Sequence, residues 1–277
     1  MVTTLASPPT TPRIVGPPTT QRVGAPRIAI FIVAYNAEST LCSVMRRIPV
    51  GIMAKVEEVF VFDDASKDQT YALGKAYQES ADGEKLAIYR NPHNLMYGGN
   101  QQRGYRYAIE RGFDIVVLLH GDGQYAPEVM QELLTPLESG RADMVMGSRM
   151  MVQGAALQGN MPRYKYIGNK ILTWIENTLV GSQFTEFHSG YRAYSVHALR
   201  AVPLHTLTTS WHFDTQIILE FLKRSYRVQE VPIPTYYGDE ICHVNGVAYA
   251  LNCIREALLF AMRQRSHSAI ARHRRST

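Results

Sequence analysis

The sequence predicts an α/β fold: a doubly wound, mostly parallel sheet with flanking helices. Three observations predict it. Apolar runs of strand length, rich in β-branched residues, alternate with segments of helical periodicity. These runs are apolar at successive positions, the pattern of strands buried on both faces of a parallel sheet. Polar residues cluster just after each run, at the edge where open α/β sheets bind ligands.

The elements follow in order. Residues 1–26 are rich in Pro, Thr and Ser, and read as a disordered tail. Ile28 to Val33 is a buried strand ending at Ala34-Tyr35-Asn36, and Glu38-Ser39-Thr40 open a helix carrying Leu41, Val44, Met45 and Ile48. Val56 to Phe62 is a second strand, closed by Asp63-Asp64, and a helix spans about Gln69 to Ser80. Leu86 to Tyr89 is a short third strand. A loop holding Gly98-Gly99 then leads to a helix from about Asn100 to Glu110, stopped at Gly112. Ile115 to Leu119 is the central strand; it ends in His120-Gly121-Asp122-Gly123-Gln124, and Pro127 starts the next helix. Asp143 to Gly147 is a fifth strand leading into Ser148-Arg149. Val228, Val231 and Ile233 alternate as a later strand, which Pro232 and Pro234 mark as an edge.

Composition narrows the function classes. Hydrophobic residues make up 45% and charged residues 19% of the chain, globular values. The formal charge of +5 hints at anionic partners, but no nucleic-acid module is present. Cys42, Cys242 and Cys253 lack metal-ligand spacing, and their odd number fits a reducing cytoplasm. No apolar run reaches the ~18–20 residues that span a bilayer, so membrane contact is expected to be peripheral, on the inner face. There is no G-x-G-x-x-G after the first strand and no P-loop. Carboxylates at the strand ends suggest a metal-bridged nucleotide instead.

The motifs AYNAE (34–38), DDASKD (63–68), YGGNQQRG (97–104), HGDGQYAPE (120–128), GSR (147–149) and EFHSGYRAY (186–194) occur in this order. Together they resemble the family 2 inverting glycosyltransferases, in particular the dolichol-phosphate mannose synthase and bacterial polyprenyl-phosphate group. The resemblance covers residues 27 to 240. It implies a GT-A domain whose first half, 27–150, takes a GDP- or UDP-linked sugar and whose second half, 151–240, takes a polyprenyl phosphate. The implied donor residues are Ala34, Tyr35 against the base, Glu38 on the nucleoside, Asp64 on base or ribose, Gly121, and Arg149 on phosphates or sugar. Asp122 and Gln124 would hold a divalent cation, Mn²⁺ or Mg²⁺. His120 departs from the family, which usually has an aspartate there. It is either a third metal ligand, better suited to Mn²⁺ than to Mg²⁺, or a hydrogen-bond donor to the diphosphate.

Residues 152–170 hold three glycines ahead of Arg163, Lys165 and Lys170, which suits a mobile acceptor loop. Arg163, Lys165, Ser189 and Arg192 are the expected acceptor contacts. Glu186 is the expected base if the acceptor is a hydroxyl, and a lipid phosphate needs none because its second pKa is ~6. Two alternatives stay open: transfer to a glycan or small-molecule hydroxyl, and a non-catalytic nucleotide-sugar-binding scaffold. Residues 241–277 read as an amphipathic helix and basic tail. Val247, Leu251, Ile254, Leu258 and Met262 lie on one stripe, for a membrane surface, the catalytic domain or a second copy in a homo-oligomer.

Overall fold

A computed structural model describes residues 24–234, 236, 237 and 245–273, with side chains to residue 264. The expected tail up to residue 23 and the basic residues from Arg265 onward lie outside the described side chains.

The elements run β1 (Ile28–Ala34), α1 (Leu41–Arg46), α2 (Val50–Lys55), β2 (Val56–Asp63), α3 (Thr70–Gln78), β3 (Leu86–Arg90), α4 (Met96–Arg111) and β4 (Ile115–His120). They continue as α5 (Met130–Glu138), β5 (Met144–Ser148), α6 (Ala155–Gln158), α7 (Arg163–Val180), β6 (Arg192–Ser195), α8 (Val196–Arg200), α9 (Phe213–Lys223), β7 (Val228–Pro232) and α10 (Gly246–His273). Pro127–Val129 forms a 3₁₀ turn ahead of α5, so the helix expected at Pro127 starts one tight turn later.

One seven-stranded sheet has the order β3-β2-β1-β4-β6-β5-β7. Successive side chains of β1 enter opposite cores, as the two-residue period of a strand requires. Ile28, Ile30 and Ile32 pack with Leu41, Val44, Leu133 and Leu134 on one face. Ala29 and Phe31 pack with Tyr105, Phe213 and Ile217 on the other. The consecutive apolar run is thus explained by burial on both faces. β7 is at the edge, where its prolines were expected to put it.

Three sequence expectations are corrected. β6 is an extra strand, antiparallel to both neighbours, wedged between β4 and β5. Gly98 and Gly99 lie in the first turn of α4 rather than in a loop. The Gly98 N–H donates to Thr209 O at 2.7 Å, and a Cβ on Gly98 would stand 2.5 Å from Thr208 O, so backbone packs where a side chain would sit. Residues 163–170 belong to α7, so Arg163, Lys165 and Lys170 project from a helix and not from a mobile loop.

α10 is present where a C-terminal helix is expected. Cys253, Ala257 and Phe260 are its buried residues, packed towards α7 and α9, while Val247, Leu251, Leu258 and Met262 face outward. Among the described residues no helix is long and apolar enough to cross a membrane.

Candidate functional site

β1, β2, β4, β5 and β7 are parallel neighbours or share one direction, so their carboxyl ends meet at one edge. β6 runs the other way, which brings the residues before it, 186–191, to that same edge. The strand order reverses between β1 and β4, opening the crevice in which such sheets bind ligands.

Two laced loops form the wall beyond β1 and β2. The Asn36 N–H donates to Ser66 Oγ at 2.8 Å, and Lys67 N–H to Asn36 Oδ1 at 2.9 Å. Gln69 N–H donates to Glu38 Oε2 at 2.9 Å, so Glu38 braces the wall from an exposed position. Tyr35 is 42% exposed beside it. Asp64 is buried; its Oδ1 accepts Asn91 Nδ2 at 2.7 Å and Leu95 N–H at 2.8 Å.

The loop after β4 forms the centre. Gly121 N–H donates to Val33 O at 2.9 Å and Thr40 Oγ1 donates to Gly121 O at 2.7 Å, clamping this loop to β1, whose last residue is Ala34. Asp122 Oδ1 accepts the Gln124 N–H at 3.0 Å, and its side chain is 45% exposed, open to the crevice. His120 points inward. Its ring packs edge-on to Tyr97 and Tyr125, and burial drives its pKa below the ordinary value, against the pull of Asp122 and Asp214. His120 is therefore neutral at pH 7, with Nδ1 4.0 Å from Asp122 Oδ2.

Two buried cations stand behind. Glu186 is fully buried; its Oε2 accepts the Arg149 backbone N–H at 2.7 Å, and its Oε1 accepts Arg149 Nε at 2.8 Å, Arg149 Nη2, and Asn169 Nδ2 at 2.8 Å. Burial alone would raise the Glu186 carboxyl, but Arg149 and these bonds take it below the ordinary carboxylate value. Arg149 Nη1 also donates to Tyr237 Oη at 3.0 Å. Arg192 is wholly buried and donates to the carbonyls of Ser189, Asp214 and Phe187 at 2.8–2.9 Å. Asp214 in turn accepts Tyr97 Oη at 2.7 Å.

The family model of glycosyl transferase family 2 matches residues 29–202, well over half of the chain. The chain belongs to this family. It is similar to the UDP-N-acetylglucosamine–dolichyl-phosphate N-acetylglucosaminyltransferase of Methanococcus voltae, 28% identical over 76% of the chain and 86% of the relative. It is also similar to the undecaprenyl-phosphate mannosyltransferase of Micrococcus luteus, 28% identical over 75% of the chain and 82% of the relative. Among solved structures, glucosyl-3-phosphoglycerate synthase from Mycobacterium tuberculosis with Mn²⁺, UDP-glucose and phosphoglyceric acid superposes with a TM-score of 0.65 at 18% identity, covering 85% of this chain and 80% of that one. The sheet is thus that of the GT-A fold, and the chain is a glycosyltransferase.

The fold of this glycosyltransferase gathers Ala34, Tyr35, Glu38, Asp64, Gly121, Asp122, Gln124 and Arg149 at one edge. Asp122 has the chemistry a divalent cation wants: an exposed carboxylate already aimed by its own turn, with the Gln124 amide two residues on. His120 is placed differently from Asp122: its ring packs inward, edge-on to Tyr97 and Tyr125, whereas the Asp122 carboxylate is exposed.

Two residues expected in the acceptor half are buried and partnered. The Arg192 guanidinium donates to backbone carbonyls of the 187–192 segment and of Asp214. Arg149 and Asn169 bond the Glu186 oxygens, and Arg149 holds its carboxyl below the ordinary value against the effect of burial. Ser189 is buried, and its Oγ accepts Tyr191 N–H at 3.3 Å. Arg163 is exposed at the start of α7, and Lys165 Nζ lies 5.2 Å over the Tyr237 ring, both within reach of solvent.

Tyr97, Asn91, Tyr125, Asn169 and Tyr237 also hydrogen-bond residues at this edge, and the sequence does not single them out. Tyr97 and Tyr125 lie inside quoted motifs, but their partners Asp214 and Gly190 are distant in sequence. Tyr125 Oη accepts the Gly190 N–H at 2.8 Å, and a Cβ on Gly190 would stand 2.6 Å from His120 Nε2 and 2.9 Å from Tyr97 Oη. Gly190→Ala must therefore push His120 aside. A loss of ~1–3 kcal/mol in stability is expected, with a raised KM for the donor. Urea denaturation and donor kinetics check both.

Proposed function

We propose that the chain transfers a hexose, with inversion, from a GDP- or UDP-linked donor to a polyprenyl phosphate. The relatives above are named for dolichyl- and undecaprenyl-phosphate acceptors. The observation that carries the reading is the state of Glu186. The carboxylate expected to act as base is neutralised by Arg149 and held by four hydrogen bonds. A Glu186 held in this way suits a nucleophile that is already anionic at pH 7, as a phosphate monoester is.

In this reading Tyr35 covers the base, Glu38 and Asp64 define the nucleoside wall, and Asp122 with Gln124 holds the divalent cation. The cation would neutralise charge on the leaving diphosphate. Arg163 and Lys165 position the lipid phosphate, and for such a nucleophile orientation and charge are the main requirements. The buried Arg149–Glu186 pair keeps the floor of the pocket rigid.

An exposed apolar surface fits a lipid acceptor. Tyr164, Ile167, Ile171 and Trp174 recur along one face of α7, with Tyr164 74% and Trp174 68% exposed. α10, which packs on α7, has exposed apolar residues of its own in Val247, Leu251, Leu258 and Met262. Aromatic rings and long apolar side chains with nearby cations suit the headgroup boundary of an anionic leaflet.

The test is transfer itself, preceded by donor identification. Thermal shifts of the full chain with GDP or UDP, each with Mn²⁺ or chelator, should single out one nucleotide. Saturation at ~100 Kd adds ~2.7 kcal/mol, and chelation should abolish it. Labelled sugar should then move to a short polyprenyl phosphate and not to the matching polyprenol. Transfer to the alcohol, or to glycan hydroxyls instead, would overturn the reading.

A further inference from the structure

Behind the Arg149–Glu186 pair lies a second buried polar cluster that takes no part in the transfer proposed above. Glu176 on α7, His188 ahead of β6 and Cys253 on α10 converge, and one ligand atom of each lies within 4.8 Å of the others. Glu176 and Cys253 are fully buried, and the His188 side chain is 8% exposed. Three segments distant in sequence thus direct three donor atoms at one small volume.

The hydrogen bonds in this cluster do not close. Thr215 Oγ1 lies 3.3 Å from both Glu176 Oε1 and Cys253 Sγ, and its single proton serves one of them. Tyr249 Oη sits 3.0 Å from His188 Nδ1. Glu176 Oε2 and His188 Nε2 are 3.1 Å apart, yet neither makes a hydrogen bond, because the oxygen lies too far off the direction of the ring nitrogen. Two donors of one tetrahedral ion, each ~2.0–2.1 Å from it, stand ~3.3 Å apart. In that geometry the nitrogen lone pair aims at the ion and the oxygen stands to one side. The oblique 3.1 Å contact has this form.

We propose that Glu176, His188 and Cys253 form a transition-metal site of the zinc type, with Thr215 or solvent at the fourth position. A carboxylate, a thiolate and a neutral imidazole match a divalent ion in charge, and thiolate with imidazole favours Zn²⁺ over Mg²⁺. The Nδ1–H of His188, donated to Tyr249 Oη, leaves the Nε2 lone pair for the ion and fixes the ring. Such an ion ties α7 and α10 to the segment that carries Glu186 and Gly190. It is separate from the cation expected on Asp122.

The test uses the full chain carrying Cys42→Ser and Cys242→Ser, so that Cys253 is its one thiol. After chelator stripping it is titrated with Zn²⁺ and with Co²⁺, and metal content is measured after gel filtration. One retained Zn²⁺ per chain is expected, with a sulfur-to-metal charge-transfer band in the Co²⁺ form. Cys253→Ser should abolish the band, His188→Gln should weaken Zn²⁺ binding by ~100-fold or more, and Asp122→Asn should change neither. No retained ion, a Co²⁺ form without the sulfur band, or loss of the ion in Asp122→Asn would each overturn the site. The band in the parent chain decides the matter even if the Cys253 or His188 variant fails to fold.

Discussion

Asp122→Asn is expected to lower kcat by ~10²–10³-fold with Mn²⁺ present, with the fold intact. The substitution keeps the shape of the side chain, and Asn Oδ1 can still accept the Gln124 N–H that closes the turn. What disappears is the negative charge facing the crevice. Losing one well-placed electrostatic element at the reacting charge costs this much in other active sites. Donor affinity should fall as well, and its dependence on Mn²⁺ should flatten. Thermal melting of the unliganded variant should match the parent, because the Asp122 side chain is 45% exposed. Steady-state kinetics across a Mn²⁺ series decide it. Unchanged kcat and unchanged metal dependence would remove Asp122 from the cation site.

The second large effect is expected on stability. Arg149→Leu leaves Glu186 buried with its strongest partner gone, a situation that costs ~3–5 kcal/mol. For a chain of this size that lowers Tm by on the order of 10 °C. The pH dependence gives an independent signature. In the parent, Glu186 has a folded pKa below its ordinary 4.5. Its contribution is therefore present above that value and lost as pH falls through the lower, folded one. In Arg149→Leu, burial acts without the cation and raises the carboxyl, so the variant should lose stability as pH rises past the unfolded value. Denaturant unfolding should show the parent losing Glu186's contribution only below about pH 4.5, whereas the variant loses stability as pH rises above that value. Parallel slopes would mean that the pair contributes little to the fold.

Much of the fold was legible because its strands are buried on both faces. Ile28 to Val33 and Ile115 to Leu119 carry continuous apolar runs that few other structures produce. The edge position of β7 followed from its prolines, which cannot donate to a central ladder. β6 was not legible. Its four residues are too short to show periodicity, and antiparallel insertion between β4 and β5 is a tertiary outcome. Gly98 and Gly99 carried a loop signal because their role, close approach of the Thr208–Thr209 backbone, is likewise invisible locally.

The site divides along the same line. Tyr35, Asp64 and Asp122 could be placed at the crevice edge because each lies next to the strand that presents it. The burial of Arg192 and Glu186 could not be read, because charged residues in a motif carry no sign of it. Their partners decide their roles, and Asp214 and Arg149 lie far along the chain. Residue type pointed to chemistry, and only packing could separate a contact from a brace.

The wedged position of β6 has a consequence for how the protein is made. Arg192 pairs with Leu118 of β4 on one side and Met146 of β5 on the other. During synthesis β4 and β5 emerge well before β6 and wait with open edges until the chain has passed α7. Such long-range closure slows folding and leaves strand edges available to other chains in the interval. Residues 27–150 and 151–240 therefore do not fold as separate units. The first stretch cannot complete its own sheet, so the crevice between β1 and β4 reaches its final shape only when β6 arrives.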